Sequence, residues 1–213
     1  MRRTLSVLPI LCAAAGCHGP APQRPAATPA PPRIVEGGWR SIATSADRAR
    51  LRGWRDTMIA ALARAKASGA GAKIAAEGVL LEPDRGLPGP VPPVGDYRCR
   101  ILKIGAQGRG LPEYTAYPAF RCRIDAGRPG ALSFVKLDGS QRPIGTLYPQ
   151  DGERMIFLGT MVLGDERRAL DYGRDPERDM AGAVERIGAR RWRLLLPAPR
   201  WESLFDVMEL VPA

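Results

Sequence analysis

Residues 95–105 read GDYRCRILKIG and, after an intervening loop, residues 116–124 read AYPAFRCRI. Inside them Tyr97-Arg98-Cys99-Arg100-Ile101 and Phe120-Arg121-Cys122-Arg123-Ile124 repeat one pattern of aromatic, Arg, Cys, Arg and Ile. Strict alternation of this kind predicts half-buried strands, with one face in the core and one in water. Both cysteines fall at the same phase. An antiparallel pair with Cys99 opposite Cys122 would set Tyr97 opposite Ile124 and Ile101 opposite Phe120 on the inner face. Arg98, Arg100, Arg121 and Arg123 then point outward.

Working outward from this hairpin, the cysteines lead to the compartment. Met1-Arg2-Arg3 is a short basic start, and Leu5 to Ala15 is an apolar run too short to span a bilayer. The run ends in Ala14-Ala15-Gly16-Cys17. Small residues directly before a Cys resemble the bacterial lipobox, where cleavage precedes a Cys whose thiol is then diacylated. An ordinary secretory signal cut nearby is the alternative. On the lipobox reading Cys12 leaves with the signal, Cys17 carries lipid, and Cys99 and Cys122 remain as a pair. An even pair in an oxidising compartment reads as a disulfide. Its enclosed loop of about twenty residues corresponds to a stabilisation of roughly 3 kcal/mol. The expected location is periplasm-facing and membrane-anchored, or otherwise soluble in the periplasm.

The chain has 213 residues, 45% of them hydrophobic, which suffices for one sizeable core. Its formal charge is +10, and loss of Arg2 and Arg3 with a leader leaves 30 basic against 22 acidic residues. The excess is Arg spread through the chain. Nucleic-acid binding would need a basic face with stacking aromatics, and aromatics are only 6%; no nucleic-acid partner is expected. The outward Arg face reads as solvated strand surface, with an anionic partner as the alternative.

From His18 to Arg33 the chain is Pro- and Ala-rich and fits a semi-extended tether. Ser41 to Lys66 is a helical stretch, capped by Thr44 or Ser45 with Asp47 in its first turn. Leu51, Trp54, Met58, Leu62 and Ala65 share one stripe of it. Gly69 and Gly71 stop this helix, Lys73 to Ala76 holds a second short one, and Glu77 to Leu81 looks extended. Gly86 to Pro93 crosses into the first strand.

After Gly95 short strands follow one another. Ala131–Leu137 and Pro143–Tyr148 flank the turn pair Asp138-Gly139. Arg154–Leu163 is nearly continuous apolar, with Gly159 suiting a bulge or sharp bend. Gly164-Asp165 turns the chain back, and Asp175-Pro176 looks like a cap and the start of a short helix. Ala183–Ile187 and Arg191–Leu196 flank Gly188-Ala189, and Phe205–Val211 closes the domain. About eight strands at this spacing predict a mainly β fold, an antiparallel up-and-down barrel of lipocalin-like or protease-inhibitor-like layout with an N-terminal helix. The expected divisions are a signal peptide at 1–16, a lipidated tether at 17–38, a helical and crossing region at 39–93, and the barrel domain at 94–213.

Several segments resemble an uncharacterised family of exported alphaproteobacterial proteins catalogued as a domain of unknown function. They are Gly95-Asp96-Tyr97-Arg98-Cys99-Arg100, Phe120-Arg121-Cys122, Gly139-Ser140-Gln141-Arg142-Pro143 with Gly145, and Tyr172-Gly173 with Asp175 and Arg178-Asp179. The end from Glu185-Arg186-Ile187-Gly188 through Trp192-Arg193-Leu194 to Glu209-Leu210-Val211 completes the set. The resemblance runs from about Trp39 to the C-terminus and implies no known activity and no catalytic residues.

Candidate chemistry is sparse. Carboxylates are densest from Asp165 to Asp179, and a pair such as Asp175 and Asp179 would suit acid/base hydrolysis if burial raised one pKa. The interleaved arginines argue for ionised carboxylates instead. Ser140, Gln141 and Arg142 form either a plain hairpin turn or a loop at the barrel mouth offering donors to a ligand. Tyr114 and Tyr117 are either packed across the barrel end or exposed contact residues, and Arg100 is a further anion-pairing candidate. Serine nucleophiles need a base, and the single His, His18, lies in the leader. No metal ligand set, cofactor fingerprint or catalytic residue is assigned. The expected function is non-enzymatic binding of an envelope protein or a small apolar or anionic ligand, with a carboxylate-dependent hydrolase as the alternative.

Overall fold

The structure is a computed structural model and describes residues 38–213. The lipobox-like ending at Cys17 and the tether lie outside the described residues. Three helices open the fold: α1 (Gly38–Ile42), α2 (Ser45–Arg52) and α3 (Trp54–Ala65). The expected single helix is therefore divided. Thr44 has extended backbone and its hydroxyl accepts the Asp47 N–H at 3.1 Å, which starts α2. Gly53, at ψ 6°, separates α2 from α3. The predicted stripe is buried throughout, with Met58 and Ala65 fully so. Gly69 adopts φ +92° and ends this run, and α4 (Gly71–Ala76) follows.

Glu77–Leu81 is not extended. It contains a 3-10 turn at Gly78–Leu80, and the physical reason lies across the fold. Nη1 of the buried Arg193 takes the carbonyls of Val79, Leu80 and Glu82 at 3.2, 3.0 and 2.7 Å, so the chain curls around one guanidinium.

Nine strands complete the domain: β1 (Gly95–Ala106), β2 (Tyr114–Ala116), β3 (Phe120–Ala126), β4 (Leu132–Lys136), β5 (Gln141–Pro149), β6 (Arg154–Leu163), β7 (Asp179–Gly188), β8 (Arg191–Pro197) and β9 (Ser203–Pro212). Neighbours in sequence pair antiparallel from β3 to β9, and β9 returns to β1, closing an eight-stranded barrel with β2 as an extra strand. β2 pairs the second half of β1 (Leu102–Ile104), and β3 pairs its first half (Gly95–Cys99). Together they run as one descending strand broken at residues 117–119, where Pro118 has no N–H for the ladder. Tyr117 still donates its N–H to Ile101 O at 2.9 Å.

This break corrects the expected register. Tyr97 lies opposite Cys122 and Cys99 opposite Phe120, a shift of two residues from the symmetric pairing. A shift of two keeps every side chain on its face, whereas a shift of one would have turned the set inside out. Cys99 and Cys122 are thus diagonal neighbours, with Cα atoms 5.9 Å apart, and form the disulfide.

Inward residues fill most of the barrel. Tyr97, Cys99, Cys122, Phe134, Phe157, Trp192 and Leu194 belong to one buried cluster, with Ile101 and Phe120 packed against it. The Phe134 and Phe157 rings meet edge-on at 5.8 Å between centroids. No bulge forms at Gly159. It lies opposite Gly145 in continuous register, and a Cβ on either glycine would come within 2.3 Å of a carbonyl oxygen, with the Phe157 ring almost as near.

Outside, α3 and the chain after it cover β1, β8 and β9, with Met58, Ala61 and Leu62 clustered with Leu102, Leu195 and Phe205. Trp39 and Leu51, from α1 and α2, cover Ile156, Leu158, Ala181 and Ala183. β6 is buried on both faces, which explains its uninterrupted apolar run. Between β6 and β7, Asp175 begins a single turn rather than a helix, its carbonyl accepting the N–H groups of Arg178 and Asp179.

Candidate functional site

Towards the end of the barrel where the β4–β5 turn lies, the inward positions change from apolar to charged. Lys103 stands in phase with Cys99 and Ile101 on β1, Lys136 with Leu132 and Phe134 on β4, and Asp206 with Met208 on β9. With the β2–β3 break at their side, they border a recess of about 210 Å³ lined by Ile101, Lys103, Tyr117, Phe120, Lys136, Gly139, Ser140, Gln141 and Glu202.

The two lysines differ. Lys103 Nζ lies 3.0 Å from Glu202 Oε2 and 3.2 Å from Asp206 Oδ2. Burial works against its charge, but the two carboxylates outweigh it and its pKa rises. Asp206 moves up as well, because burial outweighs Lys103 and the Ser203 hydroxyl that donates to it. Lys136 is 2% exposed, and no carboxylate oxygen pairs with it among the described residues. It donates to Asp138 O at 2.5 Å and Gln141 O at 2.9 Å, and its ammonium lies 3.7 Å from the Phe120 ring centroid. Burial, with Arg142 and Lys103 nearby, lowers its pKa to about 8 against the pull of Asp138.

Residues 198–202 between β8 and β9 border the same end. Ala198 (φ 45°) and Glu202 (φ 72°) both hold left-handed backbone that side chains disfavour, and such residues concentrate at functional sites. Beneath Trp201, beyond Lys103 and Gln141, a second cavity of about 20 Å³ has room for about one water.

Of the residues singled out in the sequence, Tyr117, Ser140 and Gln141 come together at the recess. The others do structural work elsewhere. Arg142 donates to Gly139 O (2.8 Å), Gly164 O (2.6 Å) and Glu166 O (2.8 Å), tying the β4–β5 turn to the loop after β6. Arg100 bonds Glu77 and Glu209, and Tyr114 donates to Glu77 at 3.0 Å, so both fasten the helical cover to the barrel. Asp175 accepts the Glu177 N–H and pairs with Arg178 at 3.4 Å. Asp179, raised by burial, accepts the Gly173 N–H at 2.8 Å.

Lys103 and Lys136 escaped the sequence reading, although a signal was there. The chain has only four lysines among its many arginines, and both on strands sit at inward phase. Lysine is the basic residue whose pKa shifts most readily on burial.

Among the described residues no group of His, Cys, Asp and Glu is arranged to hold a metal, and no helix is long and apolar enough to cross a membrane. Fold and recess define a closed, mostly filled β-barrel with a small polar mouth. Residues 39–210 match the family described as Domain of unknown function (DUF4893), and the chain belongs to that family. No curated protein matches it. No solved structure matches it either.

Proposed function

We propose that this protein is a non-enzymatic binding module, lipid-anchored through Cys17 and facing the periplasm, that takes a small anionic ligand at the barrel mouth. The observation that carries this reading is Lys136: a nearly buried ammonium bordering a recess, without a carboxylate of its own. Ser140, Gln141 and Tyr117 add hydroxyl and amide donors around the same space, while Ile101 and Phe120 give it an apolar side. The volume lies below the roughly 300–1,000 Å³ of drug-sized pockets, so the ligand is small. The barrel interior is packed, so a ligand is taken at the mouth and not deep in the barrel.

The hydrolase alternative finds less support. Burial raises Asp179 as that reading requires, but Arg178 holds the Asp175 carboxylate and the Gly173 N–H holds that of Asp179. Native mass spectrometry of the full chain taken from the envelope tests the proposal. A discrete added mass, released on collisional activation and missing from the Lys136→Met variant, is expected. A bare mass, together with no binding of acetate, butyrate or inorganic phosphate by the wild type, would overturn it.

A further inference from the structure

The lining of the mouth includes one carboxylate that no strand carries. Glu202 belongs to the segment between β8 and β9, and its side chain is 41% exposed. Yet its Oε2 is shielded from solvent and has Lys103 Nζ at 3.0 Å as its ion-pair partner. Asp206, the other partner of Lys103, is by contrast an inward strand residue fixed by Ser203. The charges at the mouth therefore divide into a fixed pair, Lys103 with Asp206, an uncompensated Lys136, and a Glu202 carboxylate with an open route to water.

We infer that the recess recognises a monocarboxylate with a short apolar remainder, and that Glu202 is its built-in competitor for Lys103. This rests on the reading of the mouth as an anion site and names the anion. Three observations carry it. First, the group that Lys103 accepts from the protein's own chain is a carboxylate. Second, a monoanion that takes the place of Glu202 beside Lys103 leaves the local balance of charge unchanged. A dianion such as phosphate would add a surplus negative charge beside Asp206. Third, Ile101, Phe120 and the Tyr117 ring offer apolar surface next to the ammonium groups, so one end of the ligand is charged and the other is not.

Glu202 is suited to withdraw. Its backbone is held through its carbonyl, which accepts the Gln107 N–H at 2.9 Å, and through Gln107 Nε2, which donates to Ser203 O at 2.7 Å. Among the described residues its side chain has only Lys103 as an ion-pair partner. A change of rotamer releases Lys103 without moving the strand ends.

The test is titration of the full chain with butyrate and, separately, inorganic phosphate, followed by calorimetry and by amide chemical shifts at residues 139–141. Glu202→Gln is expected to bind butyrate about five-fold tighter than wild type, the upper end of what an exposed ion pair withholds. Glu153→Gln makes the same change of net charge on the exposed β5–β6 turn and is expected to leave affinity unchanged. Should Glu202→Gln fold poorly, Glu202→Gly removes the carboxylate and suits the positive φ. Butyrate affinity unaltered by either Glu202 variant, or raised equally by Glu153→Gln, would overturn the inference. Phosphate binding that depends on Lys136, with no butyrate binding, would also overturn it while the anion-site reading stood. Failure of every anion, in wild type and variants alike, would remove both.

Discussion

Arg193 and Glu185 form an ion pair with no solvent exposure on either side chain, Nε and Nη2 of the arginine donating to Oε2 at 2.9 and 2.7 Å. Arg154 takes the other oxygen at 2.6 Å and lies over the Trp54 ring. Nη1 of Arg193 collects the carbonyls of the turn after α4. One buried pair thus fastens the helical cover to β7 and β8.

Glu185→Ala leaves Arg193 buried and unpaired, and is expected to cost about 3–5 kcal/mol in urea unfolding. Arg193→Met removes the charge but leaves Glu185 Oε2 and the turn carbonyls without their donor, and should be destabilising too. A loss below about 1 kcal/mol in both variants would show that apolar packing alone holds the cover in place.

Cys99 and Cys122 are both fully buried, and their bond closes a loop with a sequence separation of 23. A double Ala variant is expected to lose about 3 kcal/mol by urea titration, through greater freedom of the unfolded chain. Protein unfolded without reductant should show neither thiol of this pair. A free thiol at either position in native material would contradict the pairing.

Lys136 makes stability depend on pH in a definite sense. Its folded-state pKa of about 8 lies below the ordinary 10.5, chiefly through burial, with Arg142 and Lys103 adding to it and Asp138 opposing. Between those values the unfolded chain binds more protons, so this group makes stability rise with pH across that window. Tyr97, Tyr114 and Tyr172, pushed up to about 12 chiefly by burial, act oppositely above pH 10. They do so in wild type and variant alike. Melting of wild type against Lys136→Met from pH 6 to 10.5 isolates the lysine: the variant should be the more stable at pH 7, and its advantage should shrink above pH 8. Anion binding at the mouth should weaken over the same range. A constant difference across pH would mean an ordinary lysine pKa.

Cys17 lies outside the described residues, and the proposal that it is lipidated rests on Ala14-Ala15-Gly16-Cys17. Mass spectrometry of the mature protein is expected to find an N-terminus at Cys17 carrying acyl chains. Any other N-terminus, or an unmodified thiol there, would contradict the lipid anchor.

Alternation in β1, β3 and β8 and turn pairs such as Asp138-Gly139 made the barrel readable, because period-two burial is written locally. The register of β3 was not readable in the same way. It depends on where the chain breaks between Tyr117 and Phe120, and the matched Cys patterns suggested a symmetry that this kink overrides. The turn at Gly78–Leu80 was hidden for a similar reason, since its cause is Arg193, more than a hundred residues away. At the mouth, Ser140, Gln141 and Tyr117 were visible as polar loop residues. Arg100 and Arg142 drew attention by charge but are held by Glu77 and by backbone carbonyls, partners that only the fold supplies.

Gly145 and Gly159 lie directly opposite each other where β5 meets β6. A Cβ on Gly145 would lie 2.3 Å from Leu158 O and 2.7 Å from the Phe157 ring, and one on Gly159 would lie 2.3 Å from Ile144 O. The obstructing atoms are backbone and a core aromatic, so neither can yield as a flexible side chain would. Overpacking of this kind costs about 1–3 kcal/mol, and backbone obstruction places these sites at the top of that range. Gly145→Ala and Gly159→Ala are each expected to lose about 3 kcal/mol in thermal or urea unfolding. Gly108→Ala provides the control, because its Cβ would meet only the Leu111 side chain, at 3.7 Å; it should stay within about 0.5 kcal/mol of wild type. The two strand variants share one contact, so the double variant should lose less than the two single losses added together. Near-wild-type stability of Gly145→Ala would mean that β5 and β6 can separate there without opening the barrel.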